Sequence, residues 1–336
     1  MTDQGAPVSA VGRRLLAGTV IRRALHGFMR HRGIDSAAAL TFFGSLAVFP
    51  SELVVVSAFA IAQGRDDATE SLLGFVDELA PERTVETLRD PLDQLFSIGN
   101  PWLALVLGVA VALWTLSSYA TAFGRAVNTV YEVQEGRPFW KFRGLMMALA
   151  AALLLLFGAL AAILLSTPRI TEAFAETVGF GEPWVTAWNL TRWPLAAALL
   201  LVVLSLVYYF SPNVRVPRLR WVSWGSGVAL ALWGAATAGF SVYVSVVQPY
   251  DRVYGWLGTA IVLLVWGYLT NLVLVLGAEV DAEVVRARQL LAGIPAEDVL
   301  QLPARDTTRT LMLARQRADD ERRAKVIRDE ADRHRA

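Results

Sequence analysis

The chain of 336 residues is 55% hydrophobic and only 18% charged, with a formal net charge of +1, three histidines and no cysteine. Such a composition excludes an ordinary soluble domain, and the near-neutral charge argues against nucleic acid as a partner. The missing cysteine excludes disulfides and thiol chemistry.

Residues 9 to 32 place Val11, Leu15, Leu25 and Phe28 at helical spacing among Arg13, Arg14, Arg22, Arg23, Arg30 and Arg32. This pattern predicts a basic amphipathic helix within an N-terminal segment, 1–35, that lies on a leaflet rich in anionic lipid. Asp35 and Ser36 then offer capping oxygens to a first span, Ala37 to Gln63, expected to kink at Pro50. Residues 64–100, rich in Asp and Glu, read as a solvated loop.

A second span is expected from Trp102 to Phe123, followed by a polar connection with Arg125, Asn128, Arg137, Lys141 and Arg143. The third runs from Leu145 to Leu165. Residues 166–193, with Trp184, Trp188 and Trp193, read as an interfacial loop, and Pro194 to Phe210 as a short fourth span. Trp221 to Val247 and Trp256 to Ala278 are the fifth and sixth, with Tyr250 and Tyr254 as interfacial anchors between them. Each span is about 20 apolar residues, the length that crosses roughly 30 Å of hydrocarbon. The prediction is an all-α, six-span membrane domain over 36–283 and a charged tail over 284–336.

Basic residues set the expected orientation. Six precede the first span, and the second loop, fourth loop and tail carry four, three and twelve. The first, third and fifth loops carry three, two and one. Both termini are therefore expected in the cytoplasm, in a multi-pass inner-membrane protein.

Charged or amide side chains within spans face the bundle interior or water and mark pathways. Glu52 lies about 15 residues into the first span, roughly 22 Å along it at the helical rise. It is a candidate proton- or substrate-linked carboxylate, against the plainer reading of a carboxyl at the interface. Glu279, Asp281 and Glu283 close the sixth span, where negative charge opposes the helix dipole and calls for partners. Arg125 is one expected partner, and Arg286 serves Glu283 at i, i+3. A clasp between helix ends is the plain reading of these acids, and a substrate or ion pathway that also includes Asn128 and Asn271 is the functional one. His26, His31 and His334 lack metal-ligand spacing, and there is no phosphate-binding loop, so neither cofactor nor enzyme activity is expected.

The segments Asn128 to Arg143 (NTVYEVQEGRPFWKFR), Ser211 to Arg218 (SPNVRVPR) and Tyr254 to Glu283 resemble the YihY/BrkB family of bacterial inner membrane proteins. Asp35 to Pro50 (DSAAALTFFGSLAVFP) is similar to that family's first span. The resemblance implies six spans and points to movement of lipids or envelope precursors. It does not carry over the family's old name, ribonuclease BN, because no constellation for RNA hydrolysis is present. The expectation is a transporter or flippase of lipid or amphipathic precursors, with a scaffold that recruits cytoplasmic partners as the alternative.

Overall fold

A computed structural model describes residues 10–63, 100–166, 171, 182–215, 224–246 and 256–335. Among them the chain forms eight helices: α1 (Ala10–Arg30), α2 (Gly33–Gln63), α3 (Pro101–Val130), α4 (Phe139–Leu165), α5 (Glu182–Phe210), α6 (Trp224–Val246), α7 (Trp256–Leu291) and α8 (Thr308–Arg333). Six of these, α2 to α7, are long and apolar enough to cross a membrane. The expected 64–99 loop, Tyr250 and Tyr254 lie outside the described residues.

Local chemistry explains several boundaries. Asn100 precedes Pro101, and its side-chain oxygen accepts from Trp102 N at 3.0 Å and Leu103 N at 3.3 Å, satisfying amides the new helix α3 leaves open. Several spans, α3, α4, α5 and α7 among them, are longer than expected because their polar ends remain helical. Helix α3 continues through Arg125 and Asn128, and α7 runs past the expected border at residue 283 to Leu291. Pro194, expected to open a span, instead sits inside α5. Proline removes one N–H and one carbonyl partner, which a helix packed on its neighbours can absorb. Trp184 and Trp188 are therefore one helical turn apart on α5, with rings stacked at 6.0 Å, and not in a loop. Trp188 donates to Ser166 Oγ at 2.9 Å and ties that turn to the end of α4.

Helix α2 packs most extensively on α3, α6 and α2 both lie along α7, and α3 to α5 follow in sequence order. The close-packed core gathers at one end of the bundle. It includes Leu40, Phe123, Val127, Val130, Met146, Val207, Tyr208, Val275 and Ala282. We call this the basic end. The α1–α2 turn, the ends of α3, α5 and α7 and the starts of α4 and α6 all meet there. Residues 292–307 also fold back on it, with Ala296 and Leu300 buried and Val214 bridged to Ala304. Helix α8 leaves this end with no buried residue.

Two glycines allow α6 and α7 to touch. A Cβ on Gly225 would collide with the backbone carbonyl of Gly277, and one on Gly277 would lie 2.5 Å from the Tyr208 hydroxyl. Small residues at such crossings let helix backbones approach closely.

Candidate functional site

The basic end is built around α7, whose acidic last turns project in different directions. Glu279 and Glu283 share one face. Glu283 accepts from Arg286 Nε at 3.0 Å through one oxygen and from Arg23 Nε of α1 at 2.9 Å through the other. Arg286 also donates to the Ala296 carbonyl at 2.8 Å and is 1% exposed. Glu279, equally buried, sits 2.8 Å from His31 Nδ1 in the α1–α2 turn. This contact requires close approach of α1, since a Cβ on Gly27 would stand 2.6 Å from Glu279 Oε2. Asp281 points the other way and accepts from the Gly225 amide of α6 at 2.7 Å.

Glu132 enters the cluster from the end of α3. Its backbone has φ of 56°, the left-handed region, where glycine usually closes a helix. The closing bonds run from Glu132 N to Thr129 O at 3.0 Å and from Val133 N to Asn128 O at 2.9 Å. A non-glycine residue there carries a steric cost of roughly 1–2 kcal/mol. This placement sets Glu132 Oε1 within 3.3 Å of Arg30 Nη2, 3.6 Å of Arg286 Nη2 and 3.7 Å of His31 Nε2. Its second oxygen is buried without a hydrogen bond. Three cationic or imidazole groups thus share one carboxylate oxygen, and a backbone outlier of this kind motivates a functional question.

A second network lies beside it. Asn128 accepts from Asn213 N at 2.7 Å and donates to Glu135 at 2.9 Å. Glu135 holds Arg137 through two bonds of 2.7 Å, and Arg137 donates to Ser211 O at 2.6 Å. Asn213 donates to the carbonyls of Gln134 and Asp306, and Arg305 donates to Val214 O at 2.7 Å. These bonds fasten the α3–α4 connection, the turn after α5 and the 292–307 segment to one another. Burial lowers the Arg305 pKa, and hydrogen bonds from Thr308 hold the Asp306 carboxyl at about 2.

Deeper in the bundle, Asn271 of α7 accepts from the Tyr119 hydroxyl of α3 at 2.7 Å and donates to Thr41 of α2 at 3.2 Å and to Gly267 O at 2.9 Å. Tyr208 of α5 donates to the Leu274 carbonyl at 2.6 Å. Helix α7 therefore carries polar bonds to α1, α2, α3, α5 and α6.

Of the seven residues singled out from the sequence, Glu279 and Glu283 meet in one cluster, and the Arg286 pairing at i, i+3 is present. Asp281 and Asn271 make separate contacts along α7, and Asn128 belongs to the second network beside it. Two stand apart. Among the described residues Arg125 is exposed and forms no ion pair with those acids; Glu279 is met by His31, Glu283 by Arg23 and Arg286, and Asp281 accepts from the Gly225 amide. The expected Arg125 pairing is thus corrected: at the end of α3 its position turns outward, while α1 supplies the nearer cations. Glu52 is exposed on α2, without a hydrogen bond or ion pair among the described residues.

Sequence reasoning missed Arg23, Arg30, His31 and Glu132. Arg23 and Arg30 sit on a helix read as a lipid-facing element and His31 follows it directly; the partners of Arg23 and His31 lie 260 and 248 residues away, and Glu132 lies 102 residues from Arg30. Glu132 left one local trace, a glutamate at a helix end where glycine is the common choice. Among the described residues no group of three or more His, Asp or Glu side chains is placed to hold a metal.

Comparison with known proteins yields a match of residues 24–298 to the family described as virulence factor BrkB. A Bacillus subtilis protein named as ribonuclease-like, YfkH, is 29% identical over 262 residues, covering 77% of this chain and 93% of its own. An Aeromonas salmonicida UPF0761 membrane protein is 30% identical over 261 residues, 76% of this chain and 85% of that one. The UPF0761 membrane protein of Alkalilimnicola ehrlichii is 28% identical over 257 residues, which span 75% of this chain but only 55% of that longer protein. No solved structure matches.

Proposed function

The chain belongs to the virulence factor BrkB family and is a multi-pass membrane protein, and from that premise we propose that it is a transporter or flippase for lipid or an amphipathic envelope precursor. One observation carries this reading: α7 bears a column of buried polar side chains, from Asn271 through Glu279 and Asp281 to Glu283 and Arg286, turned toward the other helices. Polar groups inside a membrane bundle cost free energy unless satisfied, and they mark pathways for polar cargo. Asn128 borders the column at the basic end, whereas Glu52 and Arg125 stand off it and are secondary candidates.

The basic end faces the cytoplasm in this proposal. Short basic loops are retained on that side, and the packing of α1 and of residues 292–307 on the same end supports a common location for both terminal regions. The 1–35 segment engages anionic lipid there. No catalytic step is assigned.

The test is lipid translocation in sealed proteoliposomes, read by leaflet-selective quenching of labelled lipid. Protein-dependent movement, lost in Asn271→Leu and Glu279→Gln variants that remain folded, is the expected result. Movement no faster than in empty vesicles, with folded protein present, would sink the reading. A single observation favours a scaffold as the second reading: none of the 26 residues of α8 is buried. If deletion of 308–336 abolishes complementation in cells yet leaves vesicle lipid movement intact, recruitment is a separate task of that helix.

A further inference from the structure

Between α1 and α7 lies an open cleft of about 190 Å³ lined by Arg22, Arg23, His26, Gly27, Arg30 and Glu283. Three guanidinium groups and an imidazole face one carboxylate, and that carboxylate is already bonded to Arg23 and Arg286. Donors remain to spare. Arg22 and His26 are exposed and have no hydrogen bond or ion pair among the described residues. Arg23 uses Nε for Glu283 and Nη2 for the Glu297 carbonyl, and Arg30 uses Nε and Nη2 for His31 and Glu132. Among the described residues the Nη1 groups of both arginines have no hydrogen-bond partner, which leaves them for a ligand. Forked guanidinium donors suit the oxygens of a phosphate.

The rest of α1 indicates what carries that phosphate. Ile21, Leu25 and Met29, one turn apart, form an apolar stripe exposed by 51–63% and adjoining the Arg22–His26–Arg30 row. Phe139 and Trp140 at the start of α4 and Trp224 at the start of α6 are also exposed at this end of the bundle. Exposed aromatics at span ends mark the membrane–water interface, so the cleft stands at headgroup depth with apolar side chains beside it. A free anion would have no use for the stripe, whereas a lipid would fill both.

We propose that the α1–α7 cleft is a receptor site for the phosphate headgroup of an anionic membrane lipid, with the lipid's chains along Ile21, Leu25 and Met29. This deepens the lipid-transport reading by giving the cargo a point of entry, and it rests on that reading only for the depth of the basic end. A protein that binds the headgroup but moves no lipid would keep the cleft and lose only the transport proposal.

The experiment is calorimetric titration of the full chain in a neutral detergent with dioctanoyl phosphatidic acid, dioctanoyl phosphatidylcholine or inorganic phosphate. Saturable binding of the phosphatidic acid is expected, weakened at least about tenfold by the double variant Arg22→Gln, His26→Gln. A control that removes two exposed charges of α8, Arg315→Gln with Arg317→Gln, should leave binding within about twofold. Inorganic phosphate and phosphatidylcholine should bind far more weakly. Equal losses in the two double variants would mean diffuse charge attraction and overturn the site. Inorganic phosphate binding as tightly as the lipid would overturn the lipid assignment, and no binding of the phosphatidic acid would overturn both. Because neither Arg22 nor His26 contributes to the buried cluster, both variants test binding in a folded protein.

Discussion

Arg286 and Glu283 lie one turn apart on α7 with a 3.0 Å contact between Nε and Oε1, and both are buried where α1, the end of α3 and residues 292–307 converge on α7. Removing one partner from a buried pair strands the other charge, at a cost of about 3–5 kcal/mol. Arg286→Met should therefore lower the midpoint of thermal unfolding strongly. Glu283→Gln should do so less, since it retains an acceptor for Arg23 or Arg286. The double variant Arg286→Met, Glu283→Gln should be more stable than the sum of its parts implies. Strict additivity in detergent-solubilised protein would show that the two charges do not depend on each other.

Glu132 makes a different prediction, because its side chain and its backbone oppose each other. Glu132→Gly relieves the left-handed strain while deleting the carboxylate, and Glu132→Ala deletes the carboxylate and retains the strain. The glycine variant should unfold at higher temperature than the alanine variant, by the equivalent of about 1 kcal/mol. Both should lose lipid movement in vesicles if the carboxylate organises Arg30 and His31 for that task. Equal stability of the two variants would remove the backbone argument.

The glycines separate into two classes that one substitution can distinguish. Gly225→Ala and Gly277→Ala introduce a methyl into occupied space and should cost about 1–3 kcal/mol or more, with loosening of α6 from α7. Gly158 and Gly234, in α4 and α6, have nothing within 4 Å of an added Cβ. Alanine there should be neutral or stabilising by up to about 1 kcal/mol. Thermal unfolding of the four variants side by side decides it.

Asp306 should make the start of α8 sensitive to acid. Its folded-state pKa of about 2 lies below the ordinary 3.8, with bonds from Thr308 as the leading cause and Lys141 contributing. The stabilisation is fully present above the ordinary value and is lost as pH falls through the folded one. Hydrogen exchange at residues 306–311 should accelerate between about pH 4 and pH 2 relative to the intrinsic rate. Asp306→Asn should remove that dependence.

The spans were legible because hydrophobic length is a local property: all six appear where apolar runs of sufficient length occur. Their ends were less so. Arg125, Asn128 and Trp188 are polar or amphipathic, and sequence reading placed them in loops, yet the helices continue through them: neighbouring segments supply partners for Asn128 and Trp188, and Arg125 turns outward. The acids of α7 were recognisable as groups in need of compensation, and Arg286 could be paired by spacing. Arg23 and His31 could not, because sequence distance hides the fold-back that brings α1 onto α7. Glu52 stood out for a charge inside an apolar run, but the fold surrounds Glu279 and Glu283 with partners, whereas Glu52 has none among the described residues.

The concentration of tight packing at the basic end has a mechanical corollary. An added Cβ on Gly158, Gly234 or Gly239 would meet nothing within 4 Å, whereas Gly225 and Gly277 lie in close contact; away from that end the α2–α3 pair is also tight, with Gly108 against Leu53 and Val54. A bilayer that thins or thickens changes the tilt its helices prefer, at a fraction of a kcal/mol for each ångström of mismatch. In a bundle held by ion pairs at one end, that strain is taken up mainly by the span segments beyond it. The ion-paired end would keep its shape across membranes of different thickness, and the tilt of those segments would follow the lipid around them.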